Sequence, residues 1–264
     1  MYRGLIVPMV TPVDATGEVL ETDIARLVET LRPHVAALLP GLSTGEGWAL
    51  SDAQWRDLVA CTVRCAGGLP VLAGVQCATR EDVLRRVTMA AELGASGVVV
   101  SKPHGKDVSG QEVFEHYRSV LAVTTLPLTV YNESAVSGNE TDLATLLRIC
   151  ALPGVHAVKE SSGDAEFTRS LVAARPGVAV WQGWEHLVGL SGAVDGAVLA
   201  LGNLEPELCA TAVRLLSLRA QEDLTRVTGE YGLLEQDWYA RVKSVLYQRK
   251  VLTSGATIAS GVPA

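Results

Sequence analysis

No apolar run in this chain approaches the roughly 18 residues that a membrane helix requires, so a spanning segment is not expected. An N-terminal export signal is not expected either, because Met1, Tyr2, Arg3 and Gly4 lead directly into a strand-like run. Positive charge is in deficit. The formal net charge of -7 argues against a nucleic-acid surface and is compatible with any small substrate. The five cysteines, Cys61, Cys65, Cys77, Cys150 and Cys209, lack C-x-x-C spacing and have no accompanying His or Asp cluster. Free thiols in a reducing cytoplasm are therefore expected, and a zinc site is not. His34, His104, His116 and His156 show no ligand spacing. A G-x-G-x-x-G turn after an early strand is also missing, which argues against a doubly wound dinucleotide-binding sheet.

Hydrophobic residues make up 48% and charged residues 19% of the 264 positions, a balance that predicts a sizeable core rather than disorder. Eight short runs are apolar throughout instead of alternating, as parallel strands buried on both faces require: 5–11, 35–39, 71–75, 97–101, 126–131, 155–159, 178–182 and 196–201. Each is followed by a helical pattern. Expected caps are Thr22 or Asp23, Ser51 with Gln54, Thr79 with Asp82, Thr141, and Asp164 or a serine just before it, and two further helices are expected around 186–193 and from 205. A strand–helix alternation repeated eight times predicts an α/β fold, a (β/α)8 TIM barrel over residues 1–218. Residues 219–264 read as a short C-terminal helical extension. Val227, Leu234, Trp238, Val242, Val245 and Leu246 give it an apolar face for docking on the barrel or a partner subunit. The stretch 254–264 is weakly patterned and expected to be loose.

In such a barrel the loops after the strands gather at one mouth, and polar residues concentrate there. Lys159 stands where an apolar strand turns into the polar run E-S-S-G-D. An amine surrounded by apolar chain loses hydration, which disfavours the ammonium form and frees the nucleophile for a Schiff base with a carbonyl compound. The plainer reading is a lysine that snorkels to water. Ser43 and Thr44 lie in a Gly-rich loop, 41–47, whose hydroxyls and N–H groups could hold a carboxylate or simply shape a turn. Tyr131 could carry a proton or pack in the core. After the seventh strand come Gly183, Trp184, Glu185 and His186, and after the eighth Gly202 and Asn203. Glu46 is expected to bond loop N–H groups. Lys102, beside Pro103 and Gly105, is expected to snorkel from an exposed loop. Gly183 and Gly202 alone are too sparse for the phosphate site of a sugar-phosphate isomerase.

Four motifs in order resemble one family: V-T-P at 10–12, G-L-S-T-G-E at 41–46, V-Y-N at 130–132 and K-E-S-S-G-D at 159–164. They are similar to those of the Schiff-base (class I) aldolases that include N-acetylneuraminate lyase and dihydrodipicolinate synthase. The resemblance implies a carbon–carbon lyase in which Lys159 forms an imine with pyruvate or a similar 2-oxo acid. Ser43 and Thr44 would bind the carboxylate, and Tyr131, with Thr44, would move protons. It implies no metal and no organic cofactor, a cytoplasmic enzyme, small-molecule 2-oxo acid and aldehyde substrates, no nucleic acid or membrane partner, and a homo-oligomer, a tetramer or a dimer. Val136 stands where dihydrodipicolinate synthases carry an arginine. A tyrosine that family members place after the fourth strand is replaced by the run from Lys102 to Lys106. A neutral or hydroxylated aldehyde is therefore expected, with Glu185 and His186 as acceptors and Ser161 or Asn203 as donors near Gly183. The alternatives are a 4-hydroxy-tetrahydrodipicolinate synthase, which joins pyruvate and aspartate semialdehyde, and a turnover-deficient homologue that binds a 2-oxo acid.

Overall fold

The short apolar runs form eight parallel strands: β1 Gly4–Pro8, β2 Ala37–Leu39, β3 Leu72–Val75, β4 Gly97–Ser101, β5 Leu128–Glu133, β6 Val155–Ser161, β7 Ala179–Gln182 and β8 Gly196–Val198. A computed structural model describes residues 2–258. The strands lie in the order β2-β1-β8-β7-β6-β5-β4-β3. The remaining seam is closed by the parallel bridge between Leu38 and Val71 and by Gly74 N–H donating to Pro40 O at 2.8 Å. Closure removes the exposed sheet edges, and the chain is a TIM barrel.

Helices α1 Glu21–Leu31, α2 Asp52–Cys65, α3 Arg80–Glu92, α4 Gly110–Leu121, α5 Leu143–Cys150, α6 Ala165–Ala173 and α7 Pro206–Leu215 surround the strands. After β7 the chain makes a 3-10 turn, Glu185–Leu190, in place of the helix expected over 186–193. Two more helices follow α7: α8 Leu218–Glu230 and α9 Trp238–Gln248. A large hydrophobic cluster fills the shell between strands and helices. A smaller one, including Ile6, Leu39, Leu72, Val99, Ala157 and Trp181, fills the barrel interior.

Several local expectations hold. Ser51 and Gln54 form the reciprocal capping box of α2, Thr79 accepts from Asp82 N–H at α3, and Asp164 caps α6. Others are corrected. Asp142, not Thr141, caps α5. Neither Thr22 nor Asp23 caps α1, which starts at Glu21. Asp23 is fully buried and accepts from Thr253 N–H at 2.6 Å instead. Strand β8 ends at Val198, and residues 200–203 wind into a 3-10 turn. Strands β5 and β6 each run two residues further than the apolar pattern suggested, because neighbouring strands pair through Asn132–Glu160 and Glu133–Ser161. Residues 254–258 are tied down rather than loose: Lys243 Nζ donates to Ala256 O at 2.9 Å and Ile258 N–H to Glu46 at 2.6 Å. The rest of the stretch expected to be loose, 259–264, lies outside the described residues.

Candidate active site

Side chains alternate faces along a strand, and the two longest strands use that rule to sort their polar residues. Tyr131 pairs with Lys159, Asn132 with Glu160, and Glu133 with Ser161. Tyr131 and Ala157 belong to the interior cluster, so Glu133, Lys159 and Ser161 also point into the barrel. Asn132 and Glu160 point the other way and bond each other, Nδ2 to Oε2 at 2.6 Å. Glu160 is 1% exposed, and burial pushes its carboxyl above the usual range against the bonds from Ser162 and Asn132.

The inward set lines a cavity of about 400 Å³ at the mouth of the barrel, together with Ser43, Thr44, Val136, Gly183, Trp184 and Glu185. Lys159 is 5% exposed, and its Nζ stands 3.6 Å from the centre of the Tyr131 ring. Burial lowers its pKa from 10.5 to about 7, against the opposing pull of Glu133 and Glu185. Near neutrality about half of this amine is unprotonated and nucleophilic.

Tyr131 OH lies 3.3 Å from Ser43 Oγ, which donates to Gln76 Oε1 at 3.1 Å. Burial raises the Tyr131 pKa, reinforced by Glu133 and opposed by the Ser43 bond. The phenol is therefore neutral at physiological pH and can give or take a proton through hydroxyl partners. Ser43 begins a 3-10 turn, Ser43–Gly45. The N–H groups of Gly45, Glu46 and Gly47 are consumed inside the 41–47 loop, on Leu42 O and Ser43 O. Those of Ser43 and Thr44 precede the turn's own bonds and stand beside the Thr44 hydroxyl, while the Ser43 hydroxyl proton is taken by Gln76 Oε1. This narrows the expected anion site from the whole loop to two residues.

Ser161 Oγ is buried and has no hydrogen-bond partner among the described residues. A Cβ at position 183 would stand 1.8 Å from that hydroxyl, so a larger residue there would force the Ser161 side chain to turn. Glu185 is 4% exposed and lines the cavity; its Oε1 accepts from Leu201 N–H at 3.0 Å, and burial raises its pKa. Two expected substrate contacts lie elsewhere. Asn203 is not in the cavity wall: its Nδ2 donates to Pro8 O and Ala200 O, both at 2.9 Å, and its Oδ1 accepts from Val10 N–H. That saturates the amide and ties β1 to the turn after β8. His186 is also outside the wall, its ring 5.6 Å from that of Trp184.

One expectation about a charged residue is corrected and another is extended. Lys102 does not snorkel. It is 1% exposed and donates to Asn139 O at 2.7 Å, because the loop after β4 folds onto 137–139, where Gly105 N–H meets Ser137 O. Glu46 does accept a loop N–H, that of Ile258. It also pairs with Lys243 of α9, both side chains fully buried.

Three contributions escaped sequence reasoning. Glu133 carried a signal, its even spacing from Tyr131 on a strand. Gln76 carried none beyond its place just after β3. Leu233 and Trp238, which also line the cavity, come from the α8–α9 connection and α9. Trp238 Nε1 reaches 3.5 Å from Thr44 Oγ1, and its ring joins those of Trp48 and Tyr239.

A family model described as the dihydrodipicolinate synthetase family matches residues 1–227. A 4-hydroxy-tetrahydrodipicolinate synthase of Exiguobacterium sibiricum is 30% identical over 239 residues, which is 86% of this chain and 82% of that protein. An uncharacterized DapA-like lyase of Halobacterium salinarum is 33% identical over 213 residues, 78% of this chain and 69% of that one. Among solved structures, a dihydrodipicolinate synthase from Bacteroides thetaiotaomicron matches with a TM-score of 0.89 at 27% identity, covering 98% of this chain and 92% of that one. The corresponding structure from Thermotoga maritima gives 0.88 at 26%, covering 100% and 94%.

Proposed function

Since this chain belongs to the dihydrodipicolinate synthetase family of class I aldolase-type carbon–carbon lyases, we propose that it joins or splits pyruvate, or a similar 2-oxo acid, and an uncharged or hydroxylated aldehyde through an imine on Lys159. One observation carries the reading: a lysine buried in the cavity wall, with its pKa near 7 and, among the described residues, no carboxylate in direct contact. The free amine adds to the ketone carbon, and loss of water gives the imine. The carboxylate of the 2-oxo acid rests on the N–H groups of Ser43 and Thr44 and on the Thr44 hydroxyl, the Ser43 hydroxyl proton being held by Gln76. The protonated imine draws electrons from the adjacent methyl group, which gives up a proton to form an enamine. Attack of that carbon on the aldehyde makes the new bond, and water then releases the product and restores the amine. Tyr131 moves the protons of carbinolamine and aldol; its hydroxyl lies 3.3 Å from Ser43 Oγ, which in turn donates to Gln76. Catalysis then needs no metal and no organic cofactor. Among the described residues no helix is long and apolar enough to cross a membrane.

The name of the Exiguobacterium relative favours a second reading, condensation with aspartate semialdehyde. An arginine would suit that substrate's carboxylate, and Val136 cannot bond one. Burying an unpaired carboxylate costs several kcal/mol or forces its protonation. Borohydride reduction in the presence of pyruvate should leave a pyruvyl adduct on the Lys159 peptide. An unmodified Lys159, or an adduct on Lys102, rejects the assignment. Steady-state kcat/KM for pyruvate with aspartate semialdehyde and with neutral aldehydes separates the two readings.

A further inference from the structure

Glu133 is 2% exposed, yet its carboxylate faces the cavity. Its Oε2 accepts from Val136 N–H at 2.8 Å and its Oε1 from Ser137 N–H at 3.1 Å, while Ser137 Oγ donates to Glu133 O at 2.6 Å. Two backbone N–H groups aimed at one point make an anion site. Here the chain's own carboxylate fills it, next to the side chain of Val136. We infer that Glu133 is the specificity-determining residue of this cavity: it admits aldehydes that bear hydroxyl groups and refuses those that bear a second carboxylate.

The charge inventory supports this, taking the imine on Lys159 proposed above as its basis. Among the described residues the cavity wall holds the carboxyls of Glu133, Glu185 and Glu235, one amine, Lys159, and no arginine. Lys102 lies near Glu133 but is committed to Asn139 O and is not part of the wall. Once Lys159 carries the 2-oxo acid, that acid's own carboxylate balances the imine nitrogen. No cation of the wall is left for another anion, and Glu133 repels it. A hydroxylated aldehyde meets the opposite situation. Glu133 is the register partner of Ser161, both face inward, and Ser161 Oγ has no partner among the described residues. A carboxylate with spare lone pairs beside an uncommitted hydroxyl offers one acceptor and one donor to a substrate hydroxyl.

The test uses two aldehydes that share a carbon skeleton and differ in charge, succinic semialdehyde and its methyl ester, each with pyruvate. The wild-type kcat/KM should favour the ester by at least about tenfold. Glu133→Gln should narrow that ratio at least about fivefold, and Glu133→Asp, which keeps the charge, should preserve it. Val136→Arg should narrow it too, leaving Glu133 in place but neutralised, and it serves if Glu133→Gln does not fold. A role confined to holding the 134–138 turn would lower both rates together and leave the ratio unchanged. A trapped imine with a ratio that moves in neither variant, or a wild-type preference for the acid, overturns this inference alone. Absence of a wild-type imine overturns the reading beneath it, and this inference with it.

Discussion

Lys159 and Lys243 are 5% and 0% exposed, and burial lowers the pKa of each. Their surroundings differ. Lys243 touches the Glu46 carboxylate and donates to Ala256 O, so its charge is matched where it stands. Lys159 faces the ring of Tyr131, and Glu133 and Glu185 act on it without an ion pair in direct contact. Burial alone does not make a lysine reactive. Burial without a contact partner does, because the ammonium form is then the costly one. Lys102 lies between the two, with a carbonyl partner and no ion pair in direct contact.

The largest effect that can break this comparison is on activity. Lys159→Arg should reduce turnover to background and abolish borohydride trapping, since a guanidinium stays protonated and cannot attack a carbonyl. Lys243→Arg should still be trapped at Lys159 wherever the variant folds. Residual turnover in the Lys159 variant would mean that the nucleophile is another amine.

Next comes a stability effect at the other lysine. Lys243→Met breaks a fully buried ion pair by removing one partner, and should cost about 3–5 kcal/mol by denaturant unfolding. The double variant Glu46→Gln with Lys243→Met should recover most of that loss, as the introduced amide would be neutral and still accept from Ile258 N–H. A single variant as stable as the wild type would remove the pair as the tie between α9 and the 41–47 loop.

Tyr131→Phe should lower kcat by about 10²–10⁴ while imine trapping persists, if the phenol moves protons. Equal loss of trapping would confine its role to imine formation.

The pH response sharpens the contrast further. Trapping at Lys159 should rise through a midpoint near pH 7 and then level off, following the free amine. An unperturbed lysine would still be rising above pH 10. Between pH 7 and 10.5 the unfolded chain keeps a proton on this residue that the folded chain has released. Stability therefore rises with pH across that window, and the burial penalty is complete below it. Lys159→Met should accordingly raise Tm, more at pH 6 than at pH 10. A Tm gain that does not depend on pH would mean that packing, not charge, sets the difference.

The smallest effect belongs to the carboxylate site. Thr44→Val should raise the pyruvate KM by about tenfold, roughly the loss of one hydrogen bond to a charged group. If neither KM nor kcat changes, Thr44 serves only to meet Trp238.

Much of this was legible in the chain because it rests on short-range rules. Continuous apolar runs joined by capped helices specify a parallel barrel, since a strand buried on both faces has no polar side to spare. The motifs around Ser43, Tyr131 and Lys159 placed three cavity residues at strand ends, and the period of two sends Lys159 and Ser161 inward and Glu160 outward. Other assignments depended on which distant segments meet. Asn203 and His186 had the right position in sequence, but their side chains went to β1 and to Trp184. Lys102 looked exposed because nothing local announces that 137–139 will cover it. The cavity's outer wall comes from Leu233 and Trp238, about 190 residues beyond Thr44, and the partner of Glu46 comes from α9. Composition, strand period and motif chemistry are properties of neighbours along the chain, and they determined the barrel and the place of Lys159 at its mouth. Which carboxylate meets which amine, and what closes the mouth, are long-range contacts, and only the folded chain decides them, because a buried charge takes its state from whatever stands within a few ångströms.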